Sequence, residues 1–180
     1  VANTCAADFL QKNKAPCLYR VHEPPSQDRL EKARATLAPF GVTLPGGDSP
    51  TPGDYAKVLE SIADRPDKAM IQTILLRSMQ QAVYSPHNVG HFGLAYDAYT
   101  HFTSPIRRYP DLLVHRAIRG ILRRRKYVPK ILVEPNEADV PVQTREIICK
   151  AKPDDKKKVA HIDLWEKLGL LCSAHERRAD

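Results

Sequence analysis

Prolines spread along the whole chain limit how long any of its helices or strands can be. There are fifteen among 180 residues, where average composition would give about nine. Proline has a fixed backbone φ and no N–H group to donate, so it is confined to the first turn of helices, to strand edges and to turns. We therefore predict many short elements joined by sharp turns.

Composition excludes several classes of protein. The chain is 42% hydrophobic and 27% charged, which allows a packed core and is unlike a disordered tail, a collagen or a coiled coil. No stretch approaches the roughly 18 apolar residues of a membrane span, so we expect no membrane partner. Its cysteines form no Cys-x-x-Cys pair, which argues against a zinc site or a disulfide framework and predicts a cytoplasmic location. They are Cys5, Cys17, Cys149 and Cys172.

Hydrophobic spacing and turn residues predict an α+β fold that is predominantly helical, with a few short strands. The predicted helices cover residues 1–12, 27–38, 52–63, 67–82, 105–126 and 156–180, and the predicted strands lie within 17–22 and 90–95. Ser26 is predicted to cap the second helix, with Leu30, Ala33 and Leu37 facing inward. Residues 127–155 are rich in proline and are predicted to be loop-like.

The net charge of +7 comes from one segment of the chain. Residues 101–126 contain eight lysines and arginines and one acid, Asp111, whereas the rest of the chain has 20 basic and 20 acidic residues. A concentrated basic segment is typical of a surface that binds a polyanion, because neutralising phosphates releases condensed counterions. A solvated helix face would carry the same charge, and charge alone does not separate the two interpretations.

Two prolines in this segment predict a stiff, positively charged turn. Ser104-Pro105 is a helix-start pattern, since a hydroxyl caps free N–H groups and proline suits the first helical position. Pro110 cannot donate to the carbonyl four residues earlier, so the helix must kink or restart there. Arg107 and Arg108 are thereby held at a helix N-terminus, where free amides and the helix dipole favour an anion. For Arg107 we favour phosphate contact.

Beyond Pro110 the helix is predicted to have one polar face and one apolar face, of which the first could contact phosphates and the second would pack. The polar face has Arg108, Asp111, His115 and Arg119, and the apolar face has Ile106, Leu113, Ala117 and Ile121. Tyr99, Phe102 and Tyr109 could stack on bases or pack in the core. For each of these aromatic residues the core interpretation is favoured.

Residues 101–118, His-Phe-Thr-Ser-Pro-Ile-Arg-Arg-Tyr-Pro-Asp-Leu-Leu-Val-His-Arg-Ala-Ile, resemble the signature of the ribonuclease II family, also called the RNB family. Further matches occur in the family's order and cover most of the chain: Tyr-Arg-Val-His-Glu-Pro-Pro (19–25), Leu-Pro-Gly-Gly (44–47), Ala-Asp-Arg-Pro (63–66), Leu-Leu-Arg-Ser-Met (75–79), His-Phe-Gly-Leu-Ala (91–95) and Glu-Arg-Arg-Ala-Asp (176–180). Only residues 127–157 have no clear counterpart and resemble a variable insertion. The Pro-Asp-Leu and Leu-Pro-Gly-Gly segments are most similar to the ribonuclease R branch.

The resemblance implies a processive 3′-to-5′ exoribonuclease that uses Mg²⁺ to hydrolyse single-stranded RNA to nucleoside 5′-monophosphates. It implies that residues 1–180 are the C-terminal half of an RNB-type catalytic domain, without the upstream half and the flanking oligonucleotide-binding-fold domains. Both ends of the chain also read as interrupted helices. Single-stranded RNA is the expected partner, and we expect no stable protein partner.

The family holds its metal ions with aspartates spaced Asp-x₅-Asp-x-Asp-Asp, and this pattern does not occur in the chain. Asp154-Asp155 is the only adjacent pair of aspartates and has no partner at that spacing. We therefore predict no metal ligand in the chain, expect the Mg²⁺ ligands upstream of Val1, and expect the fragment alone to be inactive.

The resemblance also assigns site residues. Arg107 matches the arginine that clamps the phosphate near the scissile bond and is the predicted catalytic residue. Glu176 matches a glutamate that helps to hold the 3′-terminal nucleotides. The predicted RNA-binding residues are Thr103, Ser104, Arg108, Tyr109, Arg116 and Glu176. Asn3 matches an asparagine near the catalytic channel and receives little weight.

Two other functions share the basic segment. A non-catalytic RNA-binding module would bind RNA with strong salt dependence but would have no parent nuclease. A helical protein-interaction domain would present the basic face to an acidic partner, and would bind RNA weakly and without any effect of Arg107→Ala. No two histidines have His-x-x-x-His spacing within a predicted helix, and the histidines are expected to be structural.

Overall fold

The computed structural model describes residues 1–131, 135, 140–151 and 162–179. Its helices are α1 (Ala2–Lys12), α2 (Gln27–Leu37), α3 (Pro52–Ser61), α4 (Lys68–Ser78), α5 (Tyr109–Leu122), α6 (Val142–Lys150) and α7 (Ile162–Ala179), and its strands are β1 (Tyr19–Val21) and β2 (Val83–Ser85). Short 3-10 turns lie at Ala38–Phe40 and Phe92–Leu94. The predicted α+β fold, mainly helical with a few short strands, is confirmed.

The chain divides into two compact units. The first, here called the sheet unit, comprises the described residues of 1–21, 82–91 and 96–180. The second, the helical unit, comprises residues 22–81 and 92–95. Each unit has its own buried apolar clusters, which is how a folded unit removes its hydrophobic surface from water.

The helical unit is built on α2, α3 and α4. Helix α2 begins at Gln27 as predicted, and Leu30, Ala33 and Leu37 are buried. Ser26 is the N-cap residue, as predicted, but no backbone N–H of the helix donates to its hydroxyl. At the start of α3 the Thr51 hydroxyl accepts from the Asp54 N–H at 3.3 Å, while Asp54 Oδ2 accepts from the Thr51 N–H at 2.9 Å. This reciprocal pair satisfies two N–H groups at the start of α3.

Strands β1 and β2 form an antiparallel pair at the centre of the sheet unit. Tyr19 lies opposite Ser85, and Val21 lies opposite Val83. Helices α6 and α7 pack against β2, and α1 contacts α5. The strand predicted within 17–22 is confirmed, whereas the one predicted within 90–95 is a single bridge between His91 and Tyr96 enclosing a 3-10 turn.

The C-terminal third differs most from the prediction. Residues 127–155 were expected to be loop-like, but α6 lies within them and buries Thr144 and Ile147. The proline at 141 does not exclude this helix because it precedes the first helical residue, where its missing N–H has no intrahelical role. The Asp154-Asp155 pair and residues 156–161 of the last predicted helix lie outside the described residues.

Candidate functional site

The basic turn before α5 is where the structure departs from the predicted helix start. Residues 105–107 form a turn closed by the Arg107 and Arg108 N–H groups, which donate to the Ser104 carbonyl at 3.3 and 3.1 Å. Helix α5 begins only at Tyr109, with Pro110 in its first turn. The predicted helix from 105, capped by Ser104, is therefore wrong, and the predicted restart at Pro110 is confirmed. The missing N–H and the ring of Pro110 prevent one continuous helix.

Asp111 fixes this turn from inside the protein. Its side chain is fully buried, and Oδ1 accepts from the Ser104 N–H at 2.7 Å and from Arg108 Nη2 at 2.8 Å. The prediction that Asp111 faces phosphates is wrong, as is the prediction that Ile106 packs, because Ile106 is fully exposed. The carboxylate instead joins the residues before α5 to its first turn, so the backbone of the Arg107 turn is held from both sides.

A cavity of about 650 Å³ opens beside this turn. Residues of the turn, of the segment after α5 and of α7 line it, among them Arg107, Arg108, Tyr109, Lys130, Cys172 and Glu176. Arg107 is exposed and no described carboxylate pairs with it, and Tyr109 is 44% exposed. Cys172 is buried as predicted, and burial raises the pKa of its thiol to about 12, so it is not a nucleophile. The cavity therefore offers arginine donors, an exposed aromatic ring and one carboxylate.

Arg20 fixes the carboxylate of this cavity. Its Nη1 donates to Glu176 Oε2 at 2.5 Å, and its guanidinium lies over the ring of Tyr84, with Cζ 4.7 Å from the ring centroid. Both side chains are partly shielded, with 15% of Arg20 and 35% of Glu176 exposed. Because Arg20 and Tyr84 are paired residues of β1 and β2, strand register places the cation above the ring.

His101 continues this network away from the carboxylate. Its Nδ1 lies 2.9 Å from the Tyr84 hydroxyl. Burial, with the nearby charges of Arg108 and Arg20, lowers the pKa of His101 from 6.5 to about 4. Burial also raises the pKa of Tyr84. Near neutral pH both groups are uncharged, so His101 does not provide a cation or a general base matched to that pH.

Asn3 holds the segment before the turn. Its Oδ1 accepts from the Phe102 N–H at 3.1 Å, and its Nδ2 donates to the Tyr99 hydroxyl at 2.7 Å. The Phe102 ring stacks on His115, with centroids 4.2 Å apart. Tyr99 and Phe102 therefore pack within the protein, as favoured from the sequence, whereas Tyr109 is available at the surface.

The predicted site residues are only partly brought together. Arg107, Arg108, Tyr109 and Glu176 line one cavity, whereas Thr103, Ser104 and Arg116 do not. Ser104 contributes backbone groups to the turn, and a hydrogen bond to Tyr127 raises the pKa of Arg116. Sequence reasoning did not single out Arg20, Tyr84 or His101. Arg20 and His101 lie in the quoted motifs, but Tyr84 lies in none, and only strand pairing reveals it.

The described ranges contain neither a metal-binding cluster nor a membrane-spanning helix. There, no three His, Cys, Asp or Glu side chains come together as a possible metal site, so these residues do not fit the Mg²⁺ that the resemblance implies. Among the same residues, no helix combines the length and apolar character needed to cross a bilayer.

Comparison with known proteins identifies similar sequences and folds. The family model described as the RNB domain matches residues 1–124. Ribonuclease R of Escherichia coli (strain K12) is 57% identical over 124 residues, which is 69% of this chain and 15% of that protein. Ribonuclease R of Buchnera aphidicola subsp. Schizaphis graminum is 45% identical over 181 residues, which is 100% of this chain and 21% of that protein.

A solved structure has a similar fold. It is Mycoplasma genitalium RNase R in complex with ribose-methylated single-stranded RNA, with a TM-score of 0.64 and 26% identity, over 98% of this chain and 25% of that one. The chain thus spans a quarter or less of the length of these three proteins.

Proposed function

Because the chain belongs to the RNB domain family, we propose that it forms part of a processive 3′-to-5′ exoribonuclease and supplies residues that hold single-stranded RNA. The observation that carries this proposal is the cavity that brings Arg107, Arg108, Tyr109 and Glu176 together. In the same proposal, residues 1–180 are part of an RNB-type catalytic domain and 127–157 are an insertion. The family match ends at residue 124, just before that segment, although the Buchnera aphidicola relative matches over the whole chain.

Arg107 is the phosphate clamp of this proposal. Its backbone is fixed by the turn, its side chain is exposed, and no described carboxylate neutralises it. A guanidinium presents donors in a fork that matches two phosphate oxygens. Held at the scissile phosphate, it positions that group and stabilises charge that develops during hydrolysis.

Glu176 distinguishes RNA from DNA in this proposal. A carboxylate fixed by Arg20 retains lone pairs that accept hydrogen bonds from ribose hydroxyls. The 2′-hydroxyl is the group by which a protein recognises RNA at a given position. The exposed ring of Tyr109 offers a face on which a base can stack.

Metal chemistry is assigned outside the described residues. The family implies Mg²⁺, which would supply the activated water and stabilise the leaving oxygen. The described part of the chain brings together no ligand cluster for it, so no step is attributed to a metal here. We place the ligands, and the release of nucleoside 5′-monophosphates, in the complete enzyme.

A cytoplasmic location is part of the proposal, supported by four free cysteines, two of them exposed.

The decisive experiment measures binding of fluorescein-labelled oligouridylate and of its deoxy counterpart. We expect tighter binding of RNA than of DNA, and Glu176→Gln should abolish that difference. Arg107→Ala should weaken both complexes by about tenfold, which is the lower end of the roughly 1.5–3 kcal/mol that a charge-assisted hydrogen bond contributes. Lys57→Ala, which removes a cation that is 74% exposed on α3, is the matched control and should have no effect. Equal affinity for RNA and DNA in the unaltered chain would contradict the role of Glu176.

A gel assay separates the nuclease from a binding module. Single-stranded RNA labelled at its 5′ end is incubated with the chain in Mg²⁺ and in EDTA. If the RNA stays intact under both conditions and binds as described above, this chain holds the substrate but does not cleave it. Trimming from the 3′ end only with Mg²⁺ would show metal ligands within the chain. In that case Arg107→Ala should lower the rate by about 100-fold or more, a larger change than its effect on affinity.

A further inference from the structure

The far end of α5 carries cations that the cavity at its start does not use. Arg123, Arg124, Arg125 and Lys126 follow one another and are all exposed. No described carboxylate forms an ion pair with any of them. Helix α5 has 14 residues, so these cations lie about 20 Å from the Arg107 turn. They form a separate surface rather than an extension of the cavity.

Helix α5 ends in a left-handed residue that is normally glycine. Arg124 has φ +54°, its N–H donates to the Ile121 carbonyl at 2.9 Å, and the Arg125 N–H donates to the Gly120 carbonyl at 2.8 Å. These two bonds define a Schellman closure, whose left-handed position is usually glycine because a side chain is strained there. An arginine at this position therefore costs stability that a glycine would not.

Helix α1 ends in the same way. Lys14 has φ +51°, its N–H donates to the Gln11 carbonyl at 2.9 Å, and the Ala15 N–H donates to the Leu10 carbonyl at 3.0 Å. Both helices thus carry a cation at the position that favours glycine. Among the described residues, the non-glycine positions with positive φ are Lys14, Ala95 and Arg124.

The two helix ends meet at one cavity. It measures about 240 Å³, and Lys14, Arg125, Lys126 and the half-buried ring of Tyr127 are among its lining residues. No described acidic side chain lines it. The ring of Tyr127 packs edge-on against Trp165, with centroids 6.4 Å apart. What the cavity offers a ligand is therefore three cations with no described acidic neighbour, an arrangement that suits a run of phosphates.

Compensation of the helix dipoles does not account for so many cations. Each helix C-terminus carries roughly half a negative charge, so two ends together present about one. Lys14, Arg125 and Lys126 line the cavity, and Arg123 and Arg124 directly precede the last two in the chain, so five positive charges accompany the two helix ends. The excess is positive, and two of the five occupy strained backbone positions.

From these observations we propose that Lys14 and residues 123–126 form a second RNA-binding surface, which contacts the phosphate backbone of single-stranded RNA at a distance from the cavity beside Arg107. Charge alone would also suit an acidic peptide. RNA is favoured because this surface lies at the end of the same helix that begins at the proposed phosphate clamp, so the inference depends on the proposed function. The surface stands apart from the proposed hydrolysis, because none of its residues lines the larger cavity.

The test exploits the strained positions. Lys14→Gly combined with Arg124→Gly removes two cations and places glycine where the backbone prefers it, so the melting temperature should stay constant or rise. RNA affinity should nevertheless fall, by about tenfold or more at low salt. The slope of log K against log salt should become shallower by about 1.4, since each phosphate contact with a single strand contributes about 0.7. Lys32→Gln combined with Lys57→Gln is the control of equal charge, and should leave both readouts unchanged.

Three results would overturn the proposal. The first is unchanged RNA affinity and an unchanged salt slope in the glycine double variant. That result would mean that these cations only compensate the negative ends of the two helix dipoles. The second is polyglutamate competing with oligouridylate as well as polyuridylate does, which would identify an acidic protein as the partner. The third applies if the glycine variant is unstable. In that case Arg125→Gln is combined with Lys126→Gln, which leaves both strained positions intact and should still weaken RNA binding. Full RNA affinity in this second double variant would refute the proposed surface. The proposed function is tested separately: unchanged RNA affinity in Arg107→Ala would contradict RNA binding in the larger cavity without bearing on this second surface.

Discussion

Arg20 shows how one side chain can set the geometry of a site without being its functional group. Glu176 lies on a helix and is partly open to solvent, so its carboxylate would sample several rotamers if nothing held it. The guanidinium of Arg20 holds it, and that guanidinium is itself stacked on Tyr84. In the proposed function, Arg20 is a positioning residue for recognition of the ribose.

Substitution of Arg20 should therefore reproduce the loss of Glu176. We expect Arg20→Met to abolish the preference for RNA over DNA while keeping most of the affinity for phosphate. Arg20→Lys should restore the preference only in part, since an ammonium lacks the planar fork and stacks poorly. The double variant Arg20→Met with Glu176→Gln should be no worse than either single variant. Additive losses in oligouridylate titrations would show that the two residues act independently.

A second readout does not depend on RNA. The positive charge of Arg20 contributes to the low pKa of His101, which is about 4. Arg20→Met should therefore raise the pKa of His101, measurable by NMR titration of the imidazole. Tyr84→Phe keeps the ring beneath the guanidinium and should leave the RNA preference intact. An unchanged pKa of His101 in Arg20→Met would mean that, in solution, the guanidinium of Arg20 does not lie close to His101.

At the scale of elements, contact between α7 and β2 depends on one glycine inside a helix. A Cβ at Gly169 would lie 2.8 Å from the Tyr84 carbonyl oxygen, a backbone atom that cannot move without its strand. Gly169→Ala gains helix propensity of about 1 kcal/mol, but forcing the two elements apart costs roughly 1–3 kcal/mol. We expect a net loss of stability in urea denaturation and weaker RNA binding, because Tyr84 supports Arg20.

Gly53→Ala is the matched control for this prediction. Gly53 also lies in a helix, and its added Cβ would meet only the Thr51 hydroxyl, at 3.6 Å. This substitution should be neutral or slightly stabilising, with RNA binding unchanged. If Gly169→Ala were as stable as Gly53→Ala, the close approach of α7 to β2 would be wrong.

Elements were predictable from the sequence where local signals agree and were missed where two signals compete. Helix α2 combines a periodic apolar face with flanking turn residues, and both its start and its buried residues were predicted. At Ser104 a helix-start pattern competed with Pro110, and the proline prevailed. Helix α6 was missed because prolines before it suggested a loop. The pairing of Arg20 with Tyr84 depends on strand register, which joins distant parts of the chain and has no local signal.

At the scale of the whole molecule, the functional residues and the stability of the two units can be separated. All the lining residues of the larger cavity belong to the sheet unit, as do Arg20 and Tyr84. The helical unit has a buried cluster of its own that includes Leu30, Ile71 and Leu75. Two cores in one chain allow each unit to open without the other, in the manner of separate cooperative units.

Ile71→Val tests this separation. Ile71 is fully buried between helices of the helical unit, and loss of one methyl group there costs about 0.5–1.5 kcal/mol. Native-state hydrogen exchange should show protection in α2 and α4 reduced by about 2- to 12-fold, with protection in α5 and α7 unchanged. Val114→Ala, in the buried core of the sheet unit, should give the reverse pattern and also weaken RNA binding. Equal loss of protection throughout the chain in both variants would mean that the two units unfold as one. RNA binding would then depend on the stability of the whole chain rather than on that of the sheet unit alone.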